Sequence, residues 1–259
     1  MRSILMMFTS IIMVTGCASY HAPGRAADLG TLGVSPEAQK AGTPGDINAS
    51  FDRRPLANFP AGVAVARIQA PGYRSPTAEG FGTGAYSIVL TRDIEPDSAV
   101  KRLGKLPMVR GVAPIGRLLM PAQLNSDKEL RQAAAQLQAD LLLVYTLDTT
   151  FHDRELAAPL SVVTLGLFPS QATTVCTTAS AVLMDTRNGY IYGVCESTAQ
   201  KSGIASAWTS ESAIDGDRKR TETEAFQKLV GEIETMWTGV VQDYGPNAPR
   251  GGTRYGTGG

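Results

Sequence analysis

"TTASAVLMDTRNGYIYGVCES", residues 177–197, decides the architecture, because it reads as two strands folded back on one another. Strand-like flanks surround Asn188-Gly189, a pair suited to a type I′ turn, in which both central residues take positive φ. Facing Arg187 with Tyr190 sets a register in which Cys176 opposes Lys201 and Cys195 opposes Val182. The two cysteines then share a face but lie six positions apart, about 20 Å at the usual strand rise. A disulfide needs α-carbons within about 7 Å, so this register forbids one.

Working outward, "ADLLLVYTLDTTF" (139–151) is a block of Leu and Val with the character of a central strand covered on both faces. Ahead of it stands the clearest helix start in the chain. Asn125 or Ser126 caps it, Glu129 sits in the first turn, and Leu130, Ala133, Ala134 and Leu137 share a face. Further upstream, 62–70 and 86–91 read as strands, 96–106 as a short helix and 108–116 as another strand. Downstream, Phe226, Leu229, Val230, Ile233, Met236, Trp237, Val240, Val241 and Tyr244 recur at helical steps, with Glu222, Glu224, Lys228, Glu232 and Glu234 between them. The order predicts an α/β domain of α+β character, a mixed β-sheet with packed helices and a long C-terminal amphipathic helix.

The chain has 259 residues, 43% hydrophobic and 19% charged, enough for one ordinary core. Lys+Arg and Asp+Glu both number 24, so no overall field recruits nucleic acid. Arg2 precedes an apolar run from Ile4 to Val14, too short to span a bilayer but of signal-peptide size. Val14, Thr15 and Gly16 then lead into Cys17. That junction resembles the lipobox of bacterial lipoproteins, in which the cysteine becomes the acylated N-terminus, carrying chains such as palmitate. Ala18 in place of Asp points to the outer membrane, with the domain in the periplasm. The expected organisation is a signal peptide (1–16), a disordered tether from lipidated Cys17 (17–58) rich in Gly, Ala, Pro and Ser, one domain (59–244) and a flexible tail (245–259).

Several fragments imitate catalytic motifs. "GFGTGA" (80–85) fits G-x-G-x-x-A, but it runs into a strand where a dinucleotide fingerprint must open a helix. Ser98-x-x-Lys101 and Lys201-Ser202-Gly203 echo penicillin-recognising enzymes, without the intermediate S-D-N element. His152 beside Asp153 and Glu155 is the sole histidine candidate for a base or a metal ligand, because His21 falls in the tether. "DGDRKR" (215–220) lacks the glycine and acidic placement of an EF-hand and reads as a solvated helix start. No catalytic residue, cofactor site or metal site is therefore assigned. One stretch is odd as plain structure: "LAAPLSVVTLGLFPSQATTV" (156–175), apolar and broken by Pro159 and Pro169. Buried strand is one reading. The other is an interface with lipid or another chain through Leu160, Val162, Val163, Leu165, Leu167 and Phe168.

"LRQAAAQLQADLLLVYTLD" (130–148) followed by "ASAVLMDTRNGYIYG" (179–193) resembles periplasmic lipoproteins related to the curli secretion channel subunit and to the penicillin-binding-protein activators, with Asp140 and Asp185 to Gly189 at the corresponding places. The resemblance implies a small mixed α/β domain on a lipid tether that works through a protein partner or an oligomer. No clear pair of alternating membrane hairpins is present, unlike in the channel branch. The function expected is a non-enzymatic, lipid-anchored envelope protein, held to the membrane by its N-terminal lipid, that binds an envelope protein or forms a homo-oligomer. The alternatives are an oligomeric outer-membrane secretion or assembly component and, third, an envelope hydrolase using His152 or Ser98.

Overall fold

The computed structural model describes residues 25–27, 49, 51–155, 171–205 and 210–248. Its elements are β1 (Ala61–Gln69), β2 (Gly80–Phe81), β3 (Thr83–Gly84), β4 (Ser87–Val89), α1 (Asp97–Leu103), β5 (Val109–Pro114), β6 (Gln123–Leu124), α2 (Asp127–Gln136), β7 (Leu141–Glu155), β8 (Gln171–Asp185), β9 (Ile191–Ala205) and α3 (Ser210–Tyr244), with a 3₁₀ turn at Arg117–Leu119. The predicted mixed sheet with packed helices and a long C-terminal helix is what forms. Cys17, the signal peptide and Leu160, Val162, Val163, Leu165, Leu167 and Phe168 lie outside the described residues.

Seven strands make one sheet in the order β2-β4-β1-β7-β8-β9, with β5 also paired to β1, while β3 and β6 form a separate ribbon. β7 is central, as its composition predicts: Leu141, Leu142 and Val144 are fully buried because both faces are covered. One core packs α1 and α3 on the sheet through Leu103, Leu141, Leu143, Phe226, Leu229, Ile233 and Trp237. The other packs α2 on the opposite face through Leu130, Ala133, Ala134, Leu142, Val144, Val182 and Met184. The apolar stripe of α3 therefore faces the sheet, and Gly193 of β9 lets it approach closely, since a Cβ there would lie 2.7 Å from Met236 Sδ.

The residues on either side of β1 form a fork. Its first half pairs in parallel with β5 (Ala61 to Val65), and its last three residues pair antiparallel with β4 (Arg67 to Gln69). Val63 to Val65 also pair with β7, so β4 and β5 share the other edge of β1 and part company beside Val65 to Arg67.

α2 starts as expected. Ser126 Oγ accepts from the Lys128 N–H at 3.3 Å, and Glu129 Oε2 accepts from the Ser126 N–H at 3.1 Å, a reciprocal capping box. Ser126→Ala should cost about 1 kcal/mol, read as a lower denaturant midpoint at unchanged slope.

Three local expectations are corrected. The hairpin does not close on a two-residue type I′ turn. β8 ends at Asp185, β9 starts at Ile191, and in the loop between them only Gly189 has positive φ (+72°). Asp185 accepts from the Gly189 and Arg187 N–H groups, which favours this longer loop. A bulge beside Leu183 and Met184 then moves the register by one, so Cys176 opposes Gln200 and Cys195 opposes Ala181. Five residues separate the two cysteines' register positions, an odd number, which puts them on opposite faces, and both are free thiols. Finally, residues 215–220 are not simply solvated, and Glu222 is not on a polar outer face. Arg218 and Glu222 are 0% and 2% exposed, because this part of α3 lies over Thr149 and Thr177 of the sheet.

Candidate functional site

Arg67 sits in β1 on the face that α3 covers, and its neighbours in the strand are apolar. A guanidinium there must find carboxylates, and the loop after β4 supplies them. Arg67 Nη1 lies 2.9 Å from Asp93 Oδ1 and 3.3 Å from Glu95 Oε1, and Nη2 donates to Tyr73 Oη at 3.1 Å. Tyr145 of β7 donates to Glu95 Oε1 at 2.8 Å. The buried Arg67 Nε–H has no acceptor among the described residues. Burial, followed by the Glu95 charge, holds the Tyr145 phenol well above its ordinary range, and burial raises Tyr73 as well. Both phenols therefore stay protonated near pH 7 and serve the cluster as hydrogen-bonding groups.

A cleft opens where β4 and β5 diverge, with Arg67, Thr91, Arg92, Glu95 and Tyr145 among its lining residues. Val65, Leu103, Val112, Leu143, Phe226 and Ile233 supply apolar wall. A second cleft shares Val65, Leu103, Val112, Leu143 and Ile233 and reaches Leu106, Val109, Leu183 and Trp237. The two clefts lie side by side next to α1 and α3.

A second polar cluster lies under the N-terminal half of α3. Arg218 Nη1 donates to Glu222 Oε2 at 2.6 Å, its Nε donates to Asp215 Oδ1 at 2.9 Å, and Thr149 Oγ1 donates to Glu222 Oε1 at 3.0 Å. Arg218 Nη2 is buried without an acceptor among the described residues.

A third arrangement joins the residues that carried the sequence resemblance. Buried Asp140 accepts from the Gly62 N–H at 3.1 Å, Arg110 at 3.2 Å and Arg187 at 3.3 Å. Asp185, fully buried, accepts from the Leu56 N–H at 2.8 Å and Tyr192 Oη–H at 3.0 Å. The Thr186 N–H closes the pair by donating to the Asp140 carbonyl at 3.1 Å. Residues 53–57, read from sequence as tether, are thereby tied to the hairpin loop, with Asn188 donating to the Arg54 carbonyl at 2.7 Å. Residues 25–27 are likewise docked: Ala26 bridges Gln69, and the Ala27 N–H donates to Thr146 Oγ1 at 3.0 Å.

The other motif residues do not converge. Ser98 and Lys101 are exposed on α1. Lys201 and Ser202 lie on β9, where Lys201 pairs with Asp217 and Ser202 with Thr174. His152 takes a register position opposite Thr174. The glycines of 80–85 form β2 and β3 and lead into β4, so no helix follows them. Among the described residues no group of three or more His, Cys, Asp or Glu is placed to hold a metal, and no helix is long and apolar enough to cross a membrane. Cys195, packed under α3, has its thiol pushed up to about 11 by burial and then by Glu232, from an ordinary 9.0. Its thiolate fraction at pH 8 is then about 100-fold below that of an ordinary thiol. Iodoacetamide at pH 8 should label Cys195 correspondingly slowly, as followed by peptide mass spectrometry.

No protein-family model matches the chain, and no curated protein does. Its fold is similar to several solved bacterial structures. These include a DUF330 protein from Xanthomonas campestris (12% identity, 86% of this chain and 99% of that chain, TM-score 0.37). Lipoprotein GNA1162 from Neisseria meningitidis is another (12%, 68% and 99%, TM-score 0.28). A third is the PelC dodecamer from Paraburkholderia phytofirmans (14%, 70% and 94%, TM-score 0.28). At these scores the likenesses carry no functional conclusion.

Proposed function

We propose that this protein is a non-enzymatic lipoprotein, anchored by acyl chains on Cys17 to the outer membrane, whose periplasmic domain binds an envelope protein or assembles with copies of itself. The observation that carries the binding part is β9. It is a 15-residue strand at the end of the sheet, and among the described residues no strand pairs with its outer edge. Val194 on it is 71% exposed and Ile191 39%. A long edge with no strand beside it among the described residues offers backbone donors and acceptors to another strand, the basis of strand addition between chains. The lipobox supports the anchor, and the resemblance to partner-binding lipoproteins points the same way.

The test is the native mass of the detergent-extracted, lipidated protein by light scattering corrected for detergent, combined with photo-cross-linking from positions 194, 196 and 200. A defined oligomer with β9-to-copy cross-links, or a monomer cross-linked at β9 to one envelope protein, is the expected result. A monomer with no β9 cross-link overturns the reading.

The second reading, an oligomeric secretion or assembly component, is favoured by one feature. β7 and β8 pair along all 15 residues, from Leu141 with Asp185 to Glu155 with Gln171. The apolar 156–170 segment therefore joins the distal ends of this long hairpin. Leu165→Asp with Leu167→Asp separates the possibilities. A lower melting temperature places these residues in core, whereas lost assembly at an unchanged melting temperature places them at an interface.

A further inference from the structure

At the end of the sheet where β1, β5 and β7 begin and β8 turns into β9, charge is arranged in depth. The Asp140 side chain is 8% exposed, whereas Arg110 and Arg187, which share it, are 57% and 49% exposed. Two guanidinia on one carboxylate leave a positive charge in excess at that point. Each guanidinium carries five N–H groups. The Arg110 bonds to Gln138 and Asp140 both run through Nη2, and the Arg187 bonds to Leu56 and Asp140 through Nη1 and Nη2. Both side chains therefore keep outward N–H groups that can take a carboxylate. Arg54 is exposed beside them and meets the loop through its backbone carbonyl. Asp52 and Asp243 are the exposed carboxylates next in the chain to this surface.

Exposed apolar groups gather at the same end. Of the five large apolar side chains exposed among the described residues, Phe51 (73%), Leu56 (47%) and Ile191 belong to the segments joined here, and Val194 lies three residues along β9. Half-buried Tyr190 and Tyr244 stand edge to face behind them. Arginine and tyrosine beside exposed apolar side chains is the composition of a protein-binding hot spot. A lipid surface also offers anions and apolar groups, but the chain leads toward Cys17 from the other end of β1, where Ala26 bridges Gln69. Gln69 is eight residues from Ala61, about 26 Å at the usual strand rise.

We infer that this end of the sheet docks a protein segment in which carboxylates are interspersed with apolar side chains, the carboxylates taken by Arg110 and Arg187 and the apolar groups seated on Phe51, Leu56 and Ile191. This rests on the reading of the protein as a partner binder and states what the partner carries.

The probe is a blocked, fluorescent octapeptide of alternating Glu and Leu, titrated by anisotropy with the full mature chain made without its signal peptide. Octapeptides of alternating Lys and Leu and of alternating Glu and Ser, and vesicles of phosphatidylglycerol, run in parallel. Saturable binding of one Glu-Leu peptide per chain is expected, weakening with salt, with the other two peptides about tenfold weaker or more. Arg54→Glu combined with Phe51→Ser, both at exposed positions, should weaken it by a similar factor at an unchanged melting temperature. Arg187→Gln leaves Arg110 on Asp140 and should weaken it less. Absence of saturable Glu-Leu binding, equal affinity for the Lys-Leu peptide, or native affinity in the folded Arg54→Glu, Phe51→Ser variant would each overturn the assignment. Vesicle binding that needs Arg54 and Phe51, without peptide binding, would overturn it in favour of a membrane face. Cross-links from positions 194, 196 and 200 separate the two readings: if they persist while the peptide fails, the β9 edge stands and this surface does not.

Discussion

Replacing Glu222 with alanine should lower the melting temperature by about 6 to 20 °C. Glu222 is the closest carboxylate to the fully buried Arg218, at 2.6 Å, and it also receives Thr149. Truncation leaves the guanidinium in the interior with only Asp215, and removing one member of a buried pair typically costs about 3–5 kcal/mol. For a domain of this size each kcal/mol moves the transition by about 2–4 °C. Glu222→Gln keeps an oxygen for Arg218 and a donor for Thr149, so it should cost far less. The double variant Arg218→Met, Glu222→Leu removes both charges and should return most of the loss. Three melting curves decide the matter. A double variant as unstable as Glu222→Ala would mean that the cluster does more than neutralise itself.

The same residue gives a signed pH dependence. Burial raises the Glu222 carboxyl above its ordinary 4.5, and this outweighs the lowering by Arg218 and then Arg67. A carboxyl raised in the folded state binds its proton more tightly there than in the unfolded chain. Its contribution to stability is therefore fully present below the unfolded value and is lost as pH rises through the folded one. Glu222→Gln, which mimics the protonated form, should gain on the native protein as pH rises across that window. A stability gap that is flat in pH would show that Arg218 fully compensates for burial.

The same two residues show why part of the architecture could be read from sequence and part could not. The stripe from Phe226 to Tyr244 and the Leu-Val block of β7 are repeated signals, with many residues voting for one face, and both lie where they point. The Ser126 cap needs only residues three apart, and it too forms. Arg218 and Glu222 look like solvated helix because their burial depends on what the sheet presents under them, Thr149 and Thr177, far away in sequence. The hairpin error is of the same kind. Asn188-Gly189 fits a tight turn locally, but Asp185 draws the Gly189, Arg187 and Leu56 N–H groups to itself and lengthens the loop. For the fork cluster a signal was present. Arg67 within "GVAVARIQA" is a charge inside a strand otherwise made for burial, and the closely spaced carboxylates of "RDIEPD" are the kind of partner it requires. No periodicity links positions 67 and 95, and only the fold does.

Cys17→Ser should produce the largest change of all, moving the protein from the membrane to the soluble fraction with its melting curve unaltered. Each buried methylene contributes about 0.8 kcal/mol, and several acyl chains on one residue anchor firmly where one chain is marginal. Among the described residues no helix offers an alternative span. The docking of residues 25–27 makes a sharper version of the test available. The Ala70 N–H donates to the Arg25 carbonyl at 3.0 Å, and Ala26 bridges Gln69. If the lipid is on Cys17, eight residue steps separate it from a point fixed on the sheet, so the span is at most about 29 Å. A freely hanging tether to residue 58 would allow several times that. Neutron reflectometry of the lipidated protein on a supported bilayer should then place the domain against the headgroups. Inserting twenty Gly-Ser residues after Ala18 should move it outward. A Cys17→Ser protein that stays on the membrane would sink the anchor, whereas a native domain far from the bilayer would leave the anchor intact and release the 25–27 contact.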